Sequence, residues 1–186
     1  MFRHEIMAYV PRCEQEESDR KIMLDYIDRF PDTILKRENT WAHMTASGFI
    51  VNADVSKVLF VHHNIYKVWA WTGGHADGDG DLLAVAMREA REETGVTHIR
   101  PMSREIASLD LLAVWGHEKK GKWVSSHQHL NVTYLLVADE GDSLKSCPGE
   151  NTGVAWLPVE RLPLLTNEWQ MDPIYDKLIR RARALL

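Results

Sequence analysis

GGHADGDGDLLAVAMREAREETGV, residues Gly73 to Val96, is the stretch that decides how this chain is read. Its first half is a loop of glycine and aspartate. Its second half packs Arg88, Glu89, Glu92 and Glu93 together and closes on Gly95. A helix advances about 100° per residue. With Glu89 at zero, Glu92 falls near about −60° and Glu93 near about +40°, while Leu83, Ala86, Met87, Ala90 and Thr94 gather between about 60° and 160°. The spacing therefore predicts a helix from about Asp81 to Thr94, with one buried face and an acidic face beside it. Like charges this close repel, and a cation relieves them. Carboxylate oxygens are hard donors suited to Mg²⁺, which takes one or two carboxylates and leaves room for phosphate oxygens.

The same segment resembles the signature of the Nudix hydrolases: glycine, five residues, glutamate, seven residues, then Arg-Glu-hydrophobic-x-Glu-Glu-x-Gly-hydrophobic. Gly74 opens it, and Arg88, Glu89, Ala90, Glu92, Glu93, Gly95 and Val96 stand at matching spacing. So many placed positions make a strong motif. The resemblance implies an α/β fold, a Nudix-type α/β/α sandwich with a mixed sheet. It also implies hydrolysis of a diphosphate linkage in a nucleoside diphosphate derivative or similar small molecule, with Mg²⁺ or Mn²⁺ as cofactor. Glu89, Glu92 and Glu93 would hold the metal, joined by the Gly73 carbonyl and by Glu150, six residues before Trp156. Arg88 would brace the acids, and either Glu93 or Glu150 would serve as general base. Relatives that dimerise leave room for a homodimer.

One position departs from the pattern. The early glutamate falls on Gly80, with Asp77, Asp79 and Asp81 nearby, and Asp79 or Asp81 could substitute in part. Gly80 keeps open a noncatalytic module that only binds a nucleotide. An isopentenyl-diphosphate isomerase is the remaining alternative on this fold, but no cysteine stands in a resembling motif. The aspartates of residues 77–81 also mimic the start of an EF-hand loop. That loop wants glycine sixth and glutamate twelfth, where this chain has Leu82 and Arg88.

Substrate contacts would come from Gly74 and from side chains near the box. Trp69 and Trp71 alternate along a strand and share a face, so Trp71 could stack on a base, with core packing the plainer alternative. His127 and His129 also share a face and could meet phosphate. A zinc site would need further ligands at suitable spacing, and none stands near them in the sequence. Lys119, Lys120 and Lys122 cluster in a turn that could draw an anion.

The rest of the chain sets bounds. At 186 residues, 45% hydrophobic and 26% charged, the composition is that of one ordinary globular domain, spanning residues 1–186. Residues 1–37 would form a helical extension, 38–165 the core and 166–186 a terminal helix. A net charge of −5 offers no general field for a nucleic-acid polymer or an anionic membrane. Cys13 and Cys147 make no disulfide framework, and no leader-like segment or apolar run of spanning length is present. These features fit a cytoplasmic protein. Apolar spacing predicts a helix over Glu14–Phe30 and another from Asp172-Pro173 onward. Strands are expected near Ala42–Asn52, Lys57–His63, Lys67–Thr72, Arg104–Trp115, Ser126–Ala138 and Val154–Leu157, with residues 116–122 as a hairpin loop.

Overall fold

The computed structural model describes residues 2–64, 67–119 and 121–186; Lys120 of the basic turn lies outside them. Two helices open the chain, α1 (Phe2–Ala8) and α2 (Glu14–Arg29), followed by strands β1 (Ala42–Val51), β2 (Lys57–His63), β3 (Trp69–Ala70) and β4 (Thr72–His75). The box helix is α3 (Leu82–Thr94). Then come β5 (Ile99–Pro101), β6 (Ser108–Val114), β7 (His117–Lys119), β8 (Lys122–Val124), β9 (His127–Ala138) and β10 (Asn151–Pro158). Helices α4 (Leu162–Thr166) and α5 (Asp172–Arg183) close the chain.

The main sheet runs β10-β2-β1-β9-β5, with β3 on β2, β4 on β1 and β6 on β9. The central pair β1–β9 is parallel and its neighbours are antiparallel, so the sheet is mixed. Strand alternation sorts its side chains into two cores. Met44, Ala46 and Ile50 of β1 and Leu130, Val132 and Leu136 of β9 pack in one cluster with Leu82, Leu83, Val85, Ala86 and Ala90 of α3 and Met23 and Ile27 of α2. Phe49, Val51, Phe60 and Leu135 pack in the other with Tyr175, Leu178, Ile179 and Ala182 of α5. Helices thus cover both faces, as an α/β/α sandwich requires.

Several expected boundaries shift for identifiable reasons. The aromatic strand breaks at Trp71, because Trp69–Ala70 pairs with β2 whereas residues 72–75 cross to pair with β1. Gly73 and Gly74 are therefore strand rather than loop. The strand expected from Arg104 begins at Ser108, and the segment before it reaches β9 through single bonds, Met102 N–H to Leu135 O at 2.9 Å and Ala107 N–H to Thr133 O at 2.8 Å. The expected hairpin loop is partly ladder, since β7 and β8 pair with each other. The last strand starts earlier, at Asn151, with an irregularity between Asn151 and Val154.

The N-terminal helices are tied down by charge as well as by apolar packing. Glu16 of α2 is fully buried and receives Arg181 Nη1 at 2.5 Å, Arg181 Nη2 at 3.0 Å and the Arg12 N–H at 3.0 Å. Lys177 Nζ lies 3.2 Å from Glu16 and 2.5 Å from Asp110 of β6. One buried carboxylate therefore links α2, β6 and α5. No helix among the described residues is long and apolar enough to cross a membrane.

Candidate metal-dependent active site

The box helix starts and stops on local chemistry. Asp81 is its N-cap, accepting the Ala84 N–H at 3.0 Å. This occupies a backbone donor that the first turn would otherwise leave open. Gly95 ends the helix at φ 77 and donates its N–H to Arg91 O at 2.8 Å. A left-handed stop of this kind favours glycine.

The helix is docked against β4, and this docking makes the site. The Gly73 N–H donates to Glu93 Oε1 at 3.0 Å. The Gly74 backbone lies directly beneath the Glu89 carboxylate, so a Cβ there would fall 2.4 Å from its Cδ. Glu150 arrives from the loop before β10. That loop is pinned to the end of α3 by the buried Asn151, whose Nδ2 donates to Glu93 O at 2.9 Å and whose Oδ1 accepts the Cys147 N–H at 3.1 Å. One oxygen each from Glu89, Glu93 and Glu150 then falls within 4.8 Å of the others.

These acids sit in unequal environments. Glu93 is 6% exposed, and burial pushes its carboxyl up to about 8, opposed by the Gly73 N–H and aided by the charges of Glu150, Glu89 and Glu92. Burial also raises Glu89, partly offset by Arg88. Arg88 lies 3.4 Å from Glu89 and 3.6 Å from Asp79, bridging the helix to the loop. Glu92 is exposed and stands outside the group of three. Of the aspartates near Gly80, Asp81 is spent on the cap, Asp79 faces Arg88, and Asp77 is forked by Arg37, with Nε to Oδ1 at 2.8 Å.

Three carboxylates this close, one of them buried, fit a divalent cation. Opposite ligands around Mg²⁺ stand about 4.2 Å apart, and oxygens that all lie within 4.8 Å of one another are on the scale of such a shell. Gly74 provides a direct check. Gly74→Ala would displace the Glu89 carboxylate, which is the far end of a flexible side chain. Stability should change by no more than about 1 kcal/mol, while the apparent affinity for Mg²⁺ should weaken about 10- to 100-fold. Thermal melts with and without Mg²⁺ read both quantities, and unchanged affinity would separate Gly74 from the metal.

The other expected contacts are distributed differently. Trp71 is half-buried and packs edge-on against Tyr175, with ring centroids 5.6 Å apart, in the α5-side cluster. His127 and His129 are joined by His43 and His75, which lie far away in the sequence. Burial drives His75 down to about 3 and His129 to about 2, and lowers His43 as well. Arg37 and these two histidines carried no spacing signal; strand register and the Asp77 fork bring them in.

A family model described as NUDIX domain matches residues 41–181. Among curated proteins, the chain is 28% identical over 100 residues to the "Probable DHNTP pyrophosphohydrolase" of Lactococcus lactis subsp. cremoris, covering 54% of this chain and 57% of that one. The chain thus spans little more than half the length of that relative. Among solved structures, the E. coli dihydroneopterin triphosphate pyrophosphohydrolase aligns with a TM-score of 0.54 at 15% identity, covering 74% of this chain and 94% of that one. A binary complex of a C. elegans Ap4A hydrolase aligns at 0.50 and 19%, covering 76% and 95%. At these identities the two structures share the fold.

Proposed function

We propose, on the premise that the chain belongs to the Nudix family, that it is a metal-dependent pyrophosphohydrolase cleaving a diphosphate linkage in a small nucleotide-like molecule. The convergence of Glu89, Glu93 and Glu150 carries this reading. The curated relative's name points to dihydroneopterin triphosphate as the first compound to try. Magnesium or manganese suits a donor set made of oxygen.

Glu89 and Glu93 would hold the cation, with Glu92 at the solvent side of the same helix and Arg88 bracing Glu89. When bound, a divalent ion supplies Lewis-acid polarisation of a phosphoryl oxygen and a lowered water pKa. Glu93 is locked to the Gly73 N–H and almost closed to solvent, whereas Glu150 is exposed and within reach of water. Glu150 would therefore take the proton as the water oxygen bonds to phosphorus. The bridging P–O bond breaks and the leaving phosphate takes up the electron pair; Glu150 then returns its proton to solvent. Accordingly, Glu150→Gln should lower kcat about 100-fold at saturating metal, with little change in KM. An equal loss recovered by added Mg²⁺ would make Glu150 a ligand instead.

Gly80 supports a second reading, a module that binds without cleaving. Among the described residues, a Cβ at Gly80 would meet only Phe2, at 3.7 Å, so the backbone there accepts a side chain without a clash at its first carbon. Gly80→Glu should raise turnover several-fold, and no gain on any cleaved substrate would count against an accessory role for that position. The deciding experiment is a screen of pterin triphosphate, nucleoside triphosphates and dinucleoside polyphosphates with Mg²⁺ or Mn²⁺. Phosphate or pyrophosphate release supports the hydrolase, whereas ligand-induced stabilisation without product supports the binding module.

A further inference from the structure

A second group of side chains has a different donor chemistry, nitrogen rather than carboxylate oxygen. On the α5-side face of the sheet, alternation places His43, Thr45 and Ser47 of β1 alongside His127, His129, Asn131 and Thr133 of β9. Register pairs His43 with His129 and Thr45 with His75. The hydroxyls and amide satisfy one another: Thr45 Oγ1 and Ser47 Oγ both donate to Asn131 Oδ1 at 2.9 Å, and Asn131 Nδ2 donates to Thr133 Oγ1 at 3.0 Å. The imidazoles instead gather around one another. The His43 ring is the hub, with its centroid 5.0 Å from His75, 4.9 Å from His127 and 5.1 Å from His129.

Two of these rings have their tautomer set by the backbone. His43 Nδ1 lies 2.9 Å from Asn39 O, and His127 Nδ1 lies 2.8 Å from Ser125 O. A carbonyl can only accept, so each Nδ1 carries the proton and each Nε2 presents a lone pair. This arrangement is the one found behind metal-bound histidines. His43 is 4% exposed, and its Nε2 is buried with no hydrogen-bond partner among the described residues. Such an orphan in a polar cluster requires an explanation.

We propose that His43, His75 and His129, with His127 as the fourth ligand, form a binding site for a borderline transition-metal ion such as Zn²⁺. One nitrogen each from His43, His75 and His129 falls within 4.8 Å of the other two. His127 Nε2 and His129 Nε2 are 3.3 Å apart. With Zn–N bonds of about 2.0–2.1 Å, adjacent ligands of a tetrahedral ion stand about 3.3–3.4 Å apart, so this pair already has the spacing of one tetrahedral edge. Imidazole suits zinc, copper, nickel and iron rather than Mg²⁺, which separates this site from the carboxylates. Arg37 lies nearby, but its charge is matched by Asp77. His75, His127 and His129 are only half-buried, which leaves an ion a way in.

The test uses Co²⁺ and Zn²⁺ as probes on the full chain. Tetrahedral nitrogen ligation of Co²⁺ gives intense visible bands that octahedral oxygen ligation does not. One equivalent of Co²⁺ per chain should produce them, and Zn²⁺ should displace it. His43→Gln and His129→Gln should each weaken binding about 100-fold or more, and His127→Gln should shift the bands while one equivalent still binds. Glu93→Gln should leave the spectrum unchanged, which keeps this site's fate separate from that of the proposed hydrolase. Circular dichroism checks the fold of each variant. If the buried His43 variant does not fold, the half-buried His75→Gln must lose the bands in its place. Absence of the bands, their survival in folded His129→Gln and His75→Gln, or their loss in Glu93→Gln would overturn the proposal. A plain hydrogen bond from His129 to His127 would give the first of these results.

Discussion

Replacing Glu93 with glutamine is expected to lower metal-dependent turnover about 1,000-fold while making the metal-free protein more stable at alkaline pH. Both effects come from one buried carboxyl. Its folded pKa of about 8 lies above the ordinary value of 4.5, so the native state holds a proton that the unfolded chain gives up. Without metal, this group's contribution to stability is therefore fullest below pH 4.5 and is lost as pH rises through 8. The cost at the top of that window is on the order of 3–5 kcal/mol. Glutamine keeps the shape and has no charge to bury, so urea unfolding at pH 8 in EDTA should show the variant ahead of wild type. Mg²⁺ should close the gap by stabilising wild type alone. A variant that is as active as wild type, or whose metal-free stability follows the same pH curve, would remove Glu93 from the metal site.

Glu16→Ala should cost about 3–5 kcal/mol of stability, because it leaves the half-buried Arg181 and the buried Lys177 without their shared carboxylate. For a chain of this length that is a fall in Tm of about 10 °C. The same group gives an acid signature. Burial alone would raise the Glu16 carboxyl, but the Arg181 hydrogen bonds, the Arg12 N–H and the Lys177 charge outweigh it and hold it at about 2. A lowered folded pKa contributes stability above the unfolded value of 4.5, and that contribution is lost as pH falls toward 2. Wild type should thus lose stability over this interval more steeply than Glu16→Gln. Equal melting of Glu16→Ala and wild type at pH 7 would show that the network ties nothing down.

The box helix was legible because its signals are local. Apolar residues recur at helical spacing, Asp81 caps, and Gly95 permits the left-handed stop. The wheel even put Glu93 beside the apolar arc, where a modest covering layer suffices to bury it; that layer is β4 and the Asn151 loop. Helix α2 and strands β1 and β2 were readable for the same reason, from runs of regular period. The short elements were not. Residues 2–8 are too few to show a period, and the strand character of Gly73-Gly74 comes from pairing with Ala46 and Ser47 rather than from propensity. The histidine group is the extreme case. His127 and His129 share a face through simple alternation, but His43 and His75 reach them only through the parallel β1–β9 register and the β1–β4 pairing. No spacing within one segment encodes that approach.

The central claim is that the box carboxylates grip a divalent cation, and Mn²⁺ binding tests it most directly. Free Mn²⁺ gives an electron paramagnetic resonance signal that fades when the ion is bound, so a titration counts sites and their affinity. Wild type should bind Mn²⁺ at millimolar concentration or below, Glu89→Gln and Glu93→Gln should each lose that site, and His43→Gln should keep it. Undiminished binding in both carboxylate variants, or no binding by wild type at millimolar Mn²⁺, would contradict the account.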